Sequence, residues 1–369
     1  MTVRDAAAPL RSLEARYYTD PAIFERERRG LLSRTWQFAG HESLVRNEGD
    51  YLAVEIAGES LFCVRGRDGV LRSFHNVCQH RAHPLLQGAG GVRAIVCPYH
   101  AWSYELDGAF RSGPNVASVP GFDASAIRLA PVRTETLHGF VFVNLDDNAA
   151  PMEAWYPGVR EELAEYVPDI GVLEPLEWIE VPERCNWKVS VENYSECYHC
   201  TLNHPTFATG VVRPESYDIR ASDRGYVLRH VSECQDLERM SYPVDLSKPH
   251  AGEYRSFFLW PAFSFQVYPG NLLNTYHWRP HDADTCTVWR GWFTPGGAES
   301  ETVRRLARQD RETTVAEDLR LVESVGRGLK SPGYRPGPLV LDPAGGLNAE
   351  NAIRTLQQWM REAVEGEGA

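Results

Sequence analysis

The sequence has no long apolar run and no excess of positive charge. No stretch of 18 or more apolar residues occurs in its 369 residues, so no segment is long enough to cross a membrane as a helix. The first twenty residues lack the apolar centre of a signal peptide, and we expect a cytoplasmic protein. Lysine and arginine total 38 against 50 aspartates and glutamates. No basic stretch could follow a phosphate backbone, so neither nucleic acid nor a membrane is an expected partner.

The sequence also has no internal repeat, no low-complexity segment and no G-x-G-x-x-G motif after a predicted strand. A flavin or dinucleotide site is therefore not expected within the chain. Eight cysteines are present, and in a cytoplasmic protein they are more often metal ligands or core residues than disulfides. Four of them have no histidine at ligand spacing, and we expect them to be buried apolar residues: Cys63, Cys185, Cys234 and Cys286.

Three regions follow one another along the chain. Residues 1–39 contain a helical pattern, which we expect to pack on the C-terminal domain. Residues 40–150 carry short β-rich runs separated by Gly, Asn and Asp turns, which predict a small all-β domain. Residues 151–369 mix helices and strands, with a long charged helix over 299–329 and a last helix over 348–364. The predicted fold class is therefore α+β.

A first set of metal ligands lies in the predicted β domain. Cys78-x-His80 is followed after sixteen residues by Cys97-x-x-His100. Two cysteines and two histidines in this order fit a [2Fe–2S] centre in which imidazoles replace two thiolates on one iron. A structural zinc site is the alternative, but zinc fingers pair Cys with Cys and His with His.

A second set lies in the segment ENYSECYHCTLNHP and comprises Asn193, Glu196, His199 and His204. Two histidines and a carboxylate form the facial triad of non-haem Fe(II) oxygenases. We expect Glu196 and His199 to share a helix face. His199 and His204 are about 140° apart on a straight helix, so they converge only if the helix unwinds near His204. Pro205 gives the reason, since the residue before a proline avoids the α region.

The third iron ligand is expected from a carboxylate later in the chain, on the predicted helix over 299–329. Glu317 and Asp318 are the candidates there. They point about 100° apart on a helix, so only one of them should face the metal. Glu323, five residues further on, is expected at the surface or behind the ligands.

The stretch from Cys78 to Gly108, including CPYHAWSYELDG, resembles the Rieske domain of bacterial ring-hydroxylating and related oxygenases. The second set resembles the catalytic signature of the same family, and the resemblance covers roughly residues 15–360. It implies a Rieske domain placed before a helix-grip-like catalytic domain with an antiparallel sheet and flanking helices. It further implies a homotrimer and O₂ as co-substrate, with a [2Fe–2S] cluster on Cys78, His80, Cys97 and His100 and Fe(II) on His199, His204 and Asp318.

Glu196 departs from the usual pattern of this family, because most ring-hydroxylating members have an aspartate there. The resemblance implies that this carboxylate bonds His199 of its own chain and His100 of a neighbouring subunit. Glutamate is a feature of the branch that acts on glycine betaine, choline, carnitine and proline betaine, although it could also be a tolerated longer linker. Asn193 and Glu196 are thus the expected catalytic residues beside the ligands.

The predicted function is a monooxygenase or dioxygenase that hydroxylates or N-demethylates a quaternary ammonium compound. Electrons would come from NAD(P)H through a separate flavin and iron–sulfur reductase or a ferredoxin. An aromatic-ring or aromatic-acid oxygenase is the alternative, since the aromatic-rich stretch 257–292 suits either substrate. A pure electron-transfer protein would need only residues 40–150. No arginine or lysine stands out as the partner of a substrate carboxylate.

Overall fold

The computed structural model describes residues 10–366 of the chain. Leu31–Met152 forms one compact unit, and the described residues on either side of it form the other. The second unit therefore joins the N-terminal helices to the region that carries the second ligand set.

The unit Leu31–Met152 is built from short antiparallel strands. Seven of them form one sheet in the order β1-β10-β9-β4-β3-β2-β5, and three form a small sheet in the order β6-β7-β8. The strands are β1 Gln37–His41, β2 Asp50–Ile56, β3 Glu59–Arg65, β4 Leu71–His75, β5 Ala89–Gly91, β6 Ile95–Val96, β7 Ser103–Tyr104, β8 Phe110–Ser112, β9 Pro131–Leu137 and β10 Phe140–Asn144. The all-β character that the sequence predicted is confirmed.

The second unit contains a seven-stranded sheet in which every neighbouring pair is antiparallel. Its order is β11-β17-β16-β15-β14-β13-β12, so consecutive hairpins build most of it. The strands are β11 Leu173–Glu183, β12 Asp218–Ala221, β13 Val227–Glu233, β14 Glu253–Leu259, β15 Phe263–Tyr268, β16 Leu272–Pro280 and β17 Cys286–Pro295. β15 is buried along its whole length, as expected for a central strand covered on both faces.

The α-helices lie mostly before and after this sheet in the chain. They are α1 Arg16–Thr19, α2 Pro21–Arg26, α3 Met152–Trp155, α4 Val159–Tyr166, α5 Trp187–Tyr194, α6 Cys200–Asn203, α7 Glu301–Asp310, α8 Ala316–Gly328 and α9 Asn351–Glu365. Shorter 3-10 turns are Glu42–Val45, Val116–Ser118, Ala124–Ala126, Ile170–Val172 and Leu237–Arg239. Helices α5, α7 and α8 pack against β16, β17 and β11 respectively. The expected α+β architecture, an antiparallel sheet with flanking helices, is confirmed.

Side-chain caps and π-helical turns fix where the helices begin and bend. Asn186 accepts a hydrogen bond from the Lys188 backbone N–H at 3.1 Å and so starts α5, and Ser300 starts α7 in the same way. The predicted helix over 299–329 is present but contains a π-helical turn, Arg311–Val315, between α7 and α8. Two further π-helical turns are Glu27–Leu32 and Phe207–Val211. A π-helical turn changes the direction in which the side chains after it point, and the turn Arg311–Val315 directly precedes Glu317 and Asp318 on α8.

Candidate functional site

The two Cys/His loops of the β unit have the same backbone construction. Each cysteine carbonyl accepts a hydrogen bond from an alanine four residues on, at 2.9 Å for Cys78 to Ala82 and 3.0 Å for Cys97 to Ala101. Both alanines have positive φ, 57° and 56°, so each loop turns sharply behind its histidine. The cysteine N–H groups donate back across the turns, to His83 and Trp102. Two matching loops thus present a cysteine and a histidine each.

The two cysteines and the two histidines of these loops differ in burial. Cys78 and Cys97 are each 2% exposed, whereas His80 is exposed and lies with its ring 4.8 Å from that of His100. His100 Nδ1 is buried and has no hydrogen-bond partner among the described residues. A metal ligand would satisfy that nitrogen, so the donor set fits a cluster with an interior thiolate side and an outer imidazole side. The Trp102 ring stacks on His80 at 4.5 Å, where it covers this side.

The second ligand segment is less helical than the sequence predicted. Helix α5 ends at Tyr194 and α6 begins at Cys200, so Glu196 and His199 lie in the link between them. The prediction that they share a helix face is therefore wrong, although they still contact each other. His204 ends α6 with φ −120° and ψ 68°, outside the α region. That part of the prediction, unwinding before Pro205, is confirmed.

Three ligand atoms converge on one point in this segment. His199 Nε2 and His204 Nε2 are 2.9 Å apart. Asp318 Oδ1 lies 2.9 Å from His204 Nε2 and 3.4 Å from His199 Nε2. Metal–ligand bonds of about 2.1 Å at right angles would place such atoms about 3.0 Å apart. The structure thus brings His199, His204 and Asp318 together with the spacing of one face of an octahedron.

Each of these imidazoles has its other nitrogen held by a carboxylate. His199 Nδ1 donates to Glu196 Oε1, and His204 Nδ1 lies 2.8 Å from Glu317 Oε2. Burial lowers the pKa of His199, but the hydrogen bonds to Asp318 and Glu196 outweigh burial and raise the pKa to about 10. Burial also lowers the pKa of His204, but interactions with Asp318 and Glu317 outweigh burial and raise it. Glu317, considered above as a rival ligand, instead contacts the Nδ1 side of the candidate ligand His204.

Asn193 and Glu196 lie beside the three candidate ligand atoms. Asn193 Nδ2 lies 3.4 Å from His199 Nε2. Together with His199, both residues line an inner cavity and also an outer groove of the same unit. Glu196 Oε2 accepts backbone N–H groups of Tyr198 and His199, which orients its carboxylate. Asn193 and Glu196 therefore lie between the candidate ligand atoms and the outer groove of this unit.

The inner cavity is small, with a volume of about 40 Å³, and its walls are rich in aromatic rings. Asp318, His199 and His204 form one wall. The aromatic lining consists of Tyr194, Phe207, Tyr217, Tyr254, Tyr268 and Tyr276. An adjoining cavity of about 30 Å³ shares Asn193, Tyr194, Tyr276 and Asp318 with it and extends to Trp278 and Arg290. Only part of this lining comes from the aromatic-rich stretch 257–292; the sequence did not indicate Tyr194, Phe207, Tyr217 or Tyr254.

The bonding states of the cysteines in the second unit differ in part from those that the sequence predicted. Cys197 and Cys200 form a disulfide that brackets His199, so the expectation of ligands or core residues is wrong for this pair. Their Cβ atoms come together because the chain turns between α5 and α6. The four cysteines without a neighbouring histidine are buried and free, as predicted. Cys185 and Cys286 direct their sulfurs at Glu183 Oε2, at 3.7 and 3.6 Å.

Two family profiles match the chain and together cover both ligand sets. Residues 35–123 match the Rieske [2Fe-2S] domain, and residues 170–366 match the catalytic domain of the ring-hydroxylating alpha subunit. The chain belongs to the Rieske oxygenase alpha-subunit family. It is accordingly an oxidoreductase that uses O₂. A [2Fe–2S] cluster and Fe(II) are the cofactors of this family, and both donor sets described above fit them.

Relatives of this oxygenase subunit align over most of its length. The carnitine monooxygenase oxygenase subunit of Escherichia coli (strain K12) is 34% identical, over 93% of this chain and 91% of the relative. The glycine betaine monooxygenase oxygenase subunit of Chromohalobacter salexigens is 35% identical, over 91% and 84%. The solved structure of the quaternary ammonium Rieske monooxygenase CntA in complex with L-carnitine has a TM-score of 0.85, 32% identity and 96% coverage of both chains.

Naphthalene 1,2-dioxygenase with bound indole shares the fold alone, at a TM-score of 0.77 and 20% identity over 96% of this chain and 92% of that one. The described part of the chain, residues 10–366, contains no helix long and apolar enough to cross a membrane.

Proposed function

We propose that this chain is the oxygenase component of an enzyme that oxidises a quaternary ammonium compound at a carbon next to the cationic nitrogen. The observation that carries the proposal is the similarity to relatives named carnitine and glycine betaine monooxygenase subunits. The aromatic lining of the cavity beside Asp318 is compatible with the same substrate class, because ring faces bind alkylammonium cations that carry no N–H donor.

In this proposal Cys78, His80, Cys97 and His100 hold the [2Fe–2S] cluster, and the Fe(II) ligands are His199, His204 and Asp318. When bound, these groups supply electron transfer and the activation of O₂. Asn193 lies at the rim of the ligand triangle, where its amide can position a molecule beside the metal. The aromatic rings exclude water and hold the cation, so that a C–H bond faces the triangle.

The reaction consumes one O₂, two electrons and two protons, and it releases water. A hydroxyl group on a carbon bonded to the quaternary nitrogen makes that C–N bond labile. The adduct then loses a proton and separates into a tertiary amine and a carbonyl compound, which is formaldehyde when an N-methyl group is oxidised. The electrons come from NAD(P)H through a separate reductase or ferredoxin. Dioxygenation of the same substrate class would require no cleavage of the C–N bond.

The subunit is proposed to work as a homotrimer in which electrons cross from one chain to the next. Glu196 supports this arrangement because it touches His199 on one side and lines the outer groove on the other. A solved structure of a quaternary ammonium Rieske monooxygenase is described as showing inter-subunit electron transfer. A protein that transfers electrons alone would have no need of the second ligand set.

The proposal is tested without a reductase. The iron-loaded protein is treated anaerobically with nitric oxide, and the Fe(II)–NO EPR spectrum is recorded with glycine betaine, carnitine, proline betaine, choline, benzoate and salicylate. We expect a change in line shape with quaternary ammonium ligands only. A change with the aromatic acids alone would replace this proposal with an aromatic-acid oxygenase.

A further inference from the structure

Two thiols and a carboxyl group meet at the end of the second sheet, where β11 finishes and β17 begins. Glu183 is the last residue of β11 and pairs with Cys286, the first residue of β17, so their side chains lie on the same face. Cys185 lies in the bend that follows β11, and its sulfur points back towards Glu183. The exposed fractions of Glu183, Cys185 and Cys286 are 8%, 2% and 1%. The fold therefore gathers three potential metal ligands at one buried point.

The distances between these three groups match a tetrahedral metal site. Glu183 Oε2 lies 3.7 Å from Cys185 Sγ and 3.6 Å from Cys286 Sγ. With metal–sulfur bonds of about 2.3 Å and metal–oxygen bonds of about 2.1 Å, tetrahedral angles place sulfur and oxygen about 3.6 Å apart. One ligand atom from each residue, the two sulfurs included, lies within 4.8 Å of the other two. A single cation can therefore bind all three groups.

The charges around Glu183 also favour a cation at this point. Among the residues that the structure describes, Glu183 forms no ion pair with an arginine, lysine or histidine. Its polar neighbours are the two thiols, the hydroxyl of Ser190 and the carboxyl group of Asp318. A buried carboxylate without a cationic partner is costly, and thiols are only weak hydrogen-bond donors. A divalent cation would compensate the carboxylate and replace two weak contacts with metal–ligand bonds.

We propose that Glu183, Cys185 and Cys286 form a second metal site, separate from the iron ligands, that binds one thiophilic divalent cation such as Zn²⁺. Sulfur ligands select such a cation over Mg²⁺ or Ca²⁺, whereas the three proposed iron ligands contain no sulfur. Each thiol releases its proton when the cation binds. Water completes the tetrahedron, as in zinc sites with three protein ligands. The inference does not depend on which substrate the oxygenase uses.

The position of the site predicts how the cation enters and what it stabilises. Arg184, with a side chain that is 84% exposed, and the exposed residue Asp284 flank the two cysteines in the chain. A cation can therefore enter when the end of the sheet opens locally, and we expect slow binding. The bound cation would join the end of β11 to the start of β17. Since it binds the folded protein alone, it should raise Tm.

The first test uses the unaltered holoenzyme with its cluster and mononuclear iron in place. Cd²⁺ is added anaerobically for a long incubation, without a thiol reductant, so that the disulfide between Cys197 and Cys200 stays intact. We expect one Cd²⁺ per chain, with ultraviolet thiolate-to-metal charge-transfer absorption, a higher Tm and unchanged iron content. Absence of this absorption overturns the proposal. Uptake of Cd²⁺ in step with a loss of iron or of cluster absorbance also overturns it, because the cation would then have displaced the iron.

The second test assigns the bound Cd²⁺ to its ligands. Cys185→Ser and Cys286→Ser should each weaken Cd²⁺ binding roughly a hundredfold, about the share of one ligand in the binding energy of a four-ligand zinc site. Each should also halve the charge-transfer absorption per bound Cd²⁺, since one thiolate remains. Glu183→Gln should weaken binding but keep the full absorption per bound Cd²⁺, because both sulfurs are retained. Full absorption in either serine variant would place Cd²⁺ elsewhere and overturn the proposal.

Cys234→Ser is the matched control. Cys234 is likewise a buried free cysteine of the second unit, but its sulfur lies 3.0 Å from the Gly210 carbonyl oxygen rather than beside a carboxylate. Affinity for Cd²⁺ and the charge-transfer absorption should therefore be unchanged in this variant. The same loss in Cys234→Ser as in Cys286→Ser would show a general effect of replacing a buried cysteine and would overturn the assignment.

Discussion

Both histidines of the proposed iron site are oriented from behind by glutamates, and these come from different parts of the chain. Glu196 is close in sequence to its histidine, whereas Glu317 reaches His204 from 113 residues away. Such partners fix the ring orientation and make the imidazole a stronger ligand. Adjacent residues on α8 thus have separate tasks, with Asp318 facing the metal position and Glu317 facing the histidine behind it.

Replacing Glu317 should weaken the site without removing a ligand. We expect Glu317→Leu to bind Fe(II) roughly ten- to a hundredfold more weakly, because His204 loses its acceptor. Glu317→Gln should recover part of the affinity, since an amide oxygen still accepts from Nδ1. Competition with a chelator measures the affinity, and the Fe(II)–NO spectrum reports the ligand geometry. Glu312→Gln, at an exposed position on the preceding π-helical turn, is the control and should be unaffected.

Asp318→Asn should abolish mononuclear iron binding while the visible spectrum of the cluster remains. A neutral amide is a much poorer ligand for a hard dication than a carboxylate. Iron content should fall from about three to about two per chain, as counted from the cofactors of the two sites. Glu323→Gln, on the same helix, removes only a salt bridge to Arg184 and should retain all the iron. Loss of the cluster absorbance in Asp318→Asn would contradict the ligand assignment.

At the scale of elements, the position of α8 depends on a close approach. A Cβ atom on Gly326 would lie 2.9 Å from Cys185 Cβ and 3.2 Å from the Arg184 carbonyl oxygen. Arg184 and Cys185 follow β11, so the helix that carries Asp318 touches the backbone there. Glycine allows this contact, and the distance between α8 and the start of α5 follows from it.

Gly326→Ala should therefore move α8 outwards. We expect a loss of about 1–3 kcal/mol in the free energy of unfolding, as for other overpacked sites, together with weaker iron binding. Gly328→Ala is the matched control, because nothing lies within 4 Å of a Cβ there. That change should preserve iron binding and, by helix propensity, raise stability slightly. Equal effects in the two variants would show that contact with Cys185 is unimportant.

The elements were largely predictable, but the break between α5 and α6 was not. Residues 187–204 contain neither glycine nor proline, so no local signal ends a helix at Tyr194. Tyr194 O–H instead contacts Ser264 and Ser256 of the sheet, at 2.6 and 2.5 Å. The hydrophobic periodicity of the sequence cannot indicate such a tertiary interaction. The sequence likewise contains no signal for the π-helical turn before α8, although the long helix around this turn was predicted.

At the scale of the whole molecule, the metal motifs were predictable because their spacing is local. Cys78, His80, Cys97 and His100 lie in two short loops, and His199 and His204 are five residues apart. The lining of the two cavities was not predictable, since it gathers side chains from α5, from the segment after α6 and from six strands. Arg290 and Tyr217 are separated from Asn193 by long stretches of sequence, and only the folded sheet places them around one space.

Glu196→Gln tests the proposed route of electrons between subunits. The variant should keep both metals, because Gln can still accept from His199, but its turnover with a reductase should fall roughly ten- to a hundredfold. Single-turnover spectra should show a cluster that stays reduced in the presence of substrate and O₂. Glu196→Asp should be intermediate. Unchanged reoxidation of the cluster in Glu196→Gln would contradict the bridging role.

Helix α5 is held by segments from before and after it in the chain, and this has a consequence for biosynthesis. Its partly buried Glu192 accepts hydrogen bonds from Tyr18 at 2.8 Å and from Gln357 of α9 at 3.1 Å. A ribosome delivers Tyr18 before α5, and Gln357 165 residues after Glu192. The helix that leads into the proposed iron ligands therefore stays incompletely anchored until α9 has been synthesised, and Asp318 itself emerges 114 residues after His204. The Rieske unit ends at Met152, so it can acquire its cluster before the residues of the proposed iron site have all been synthesised.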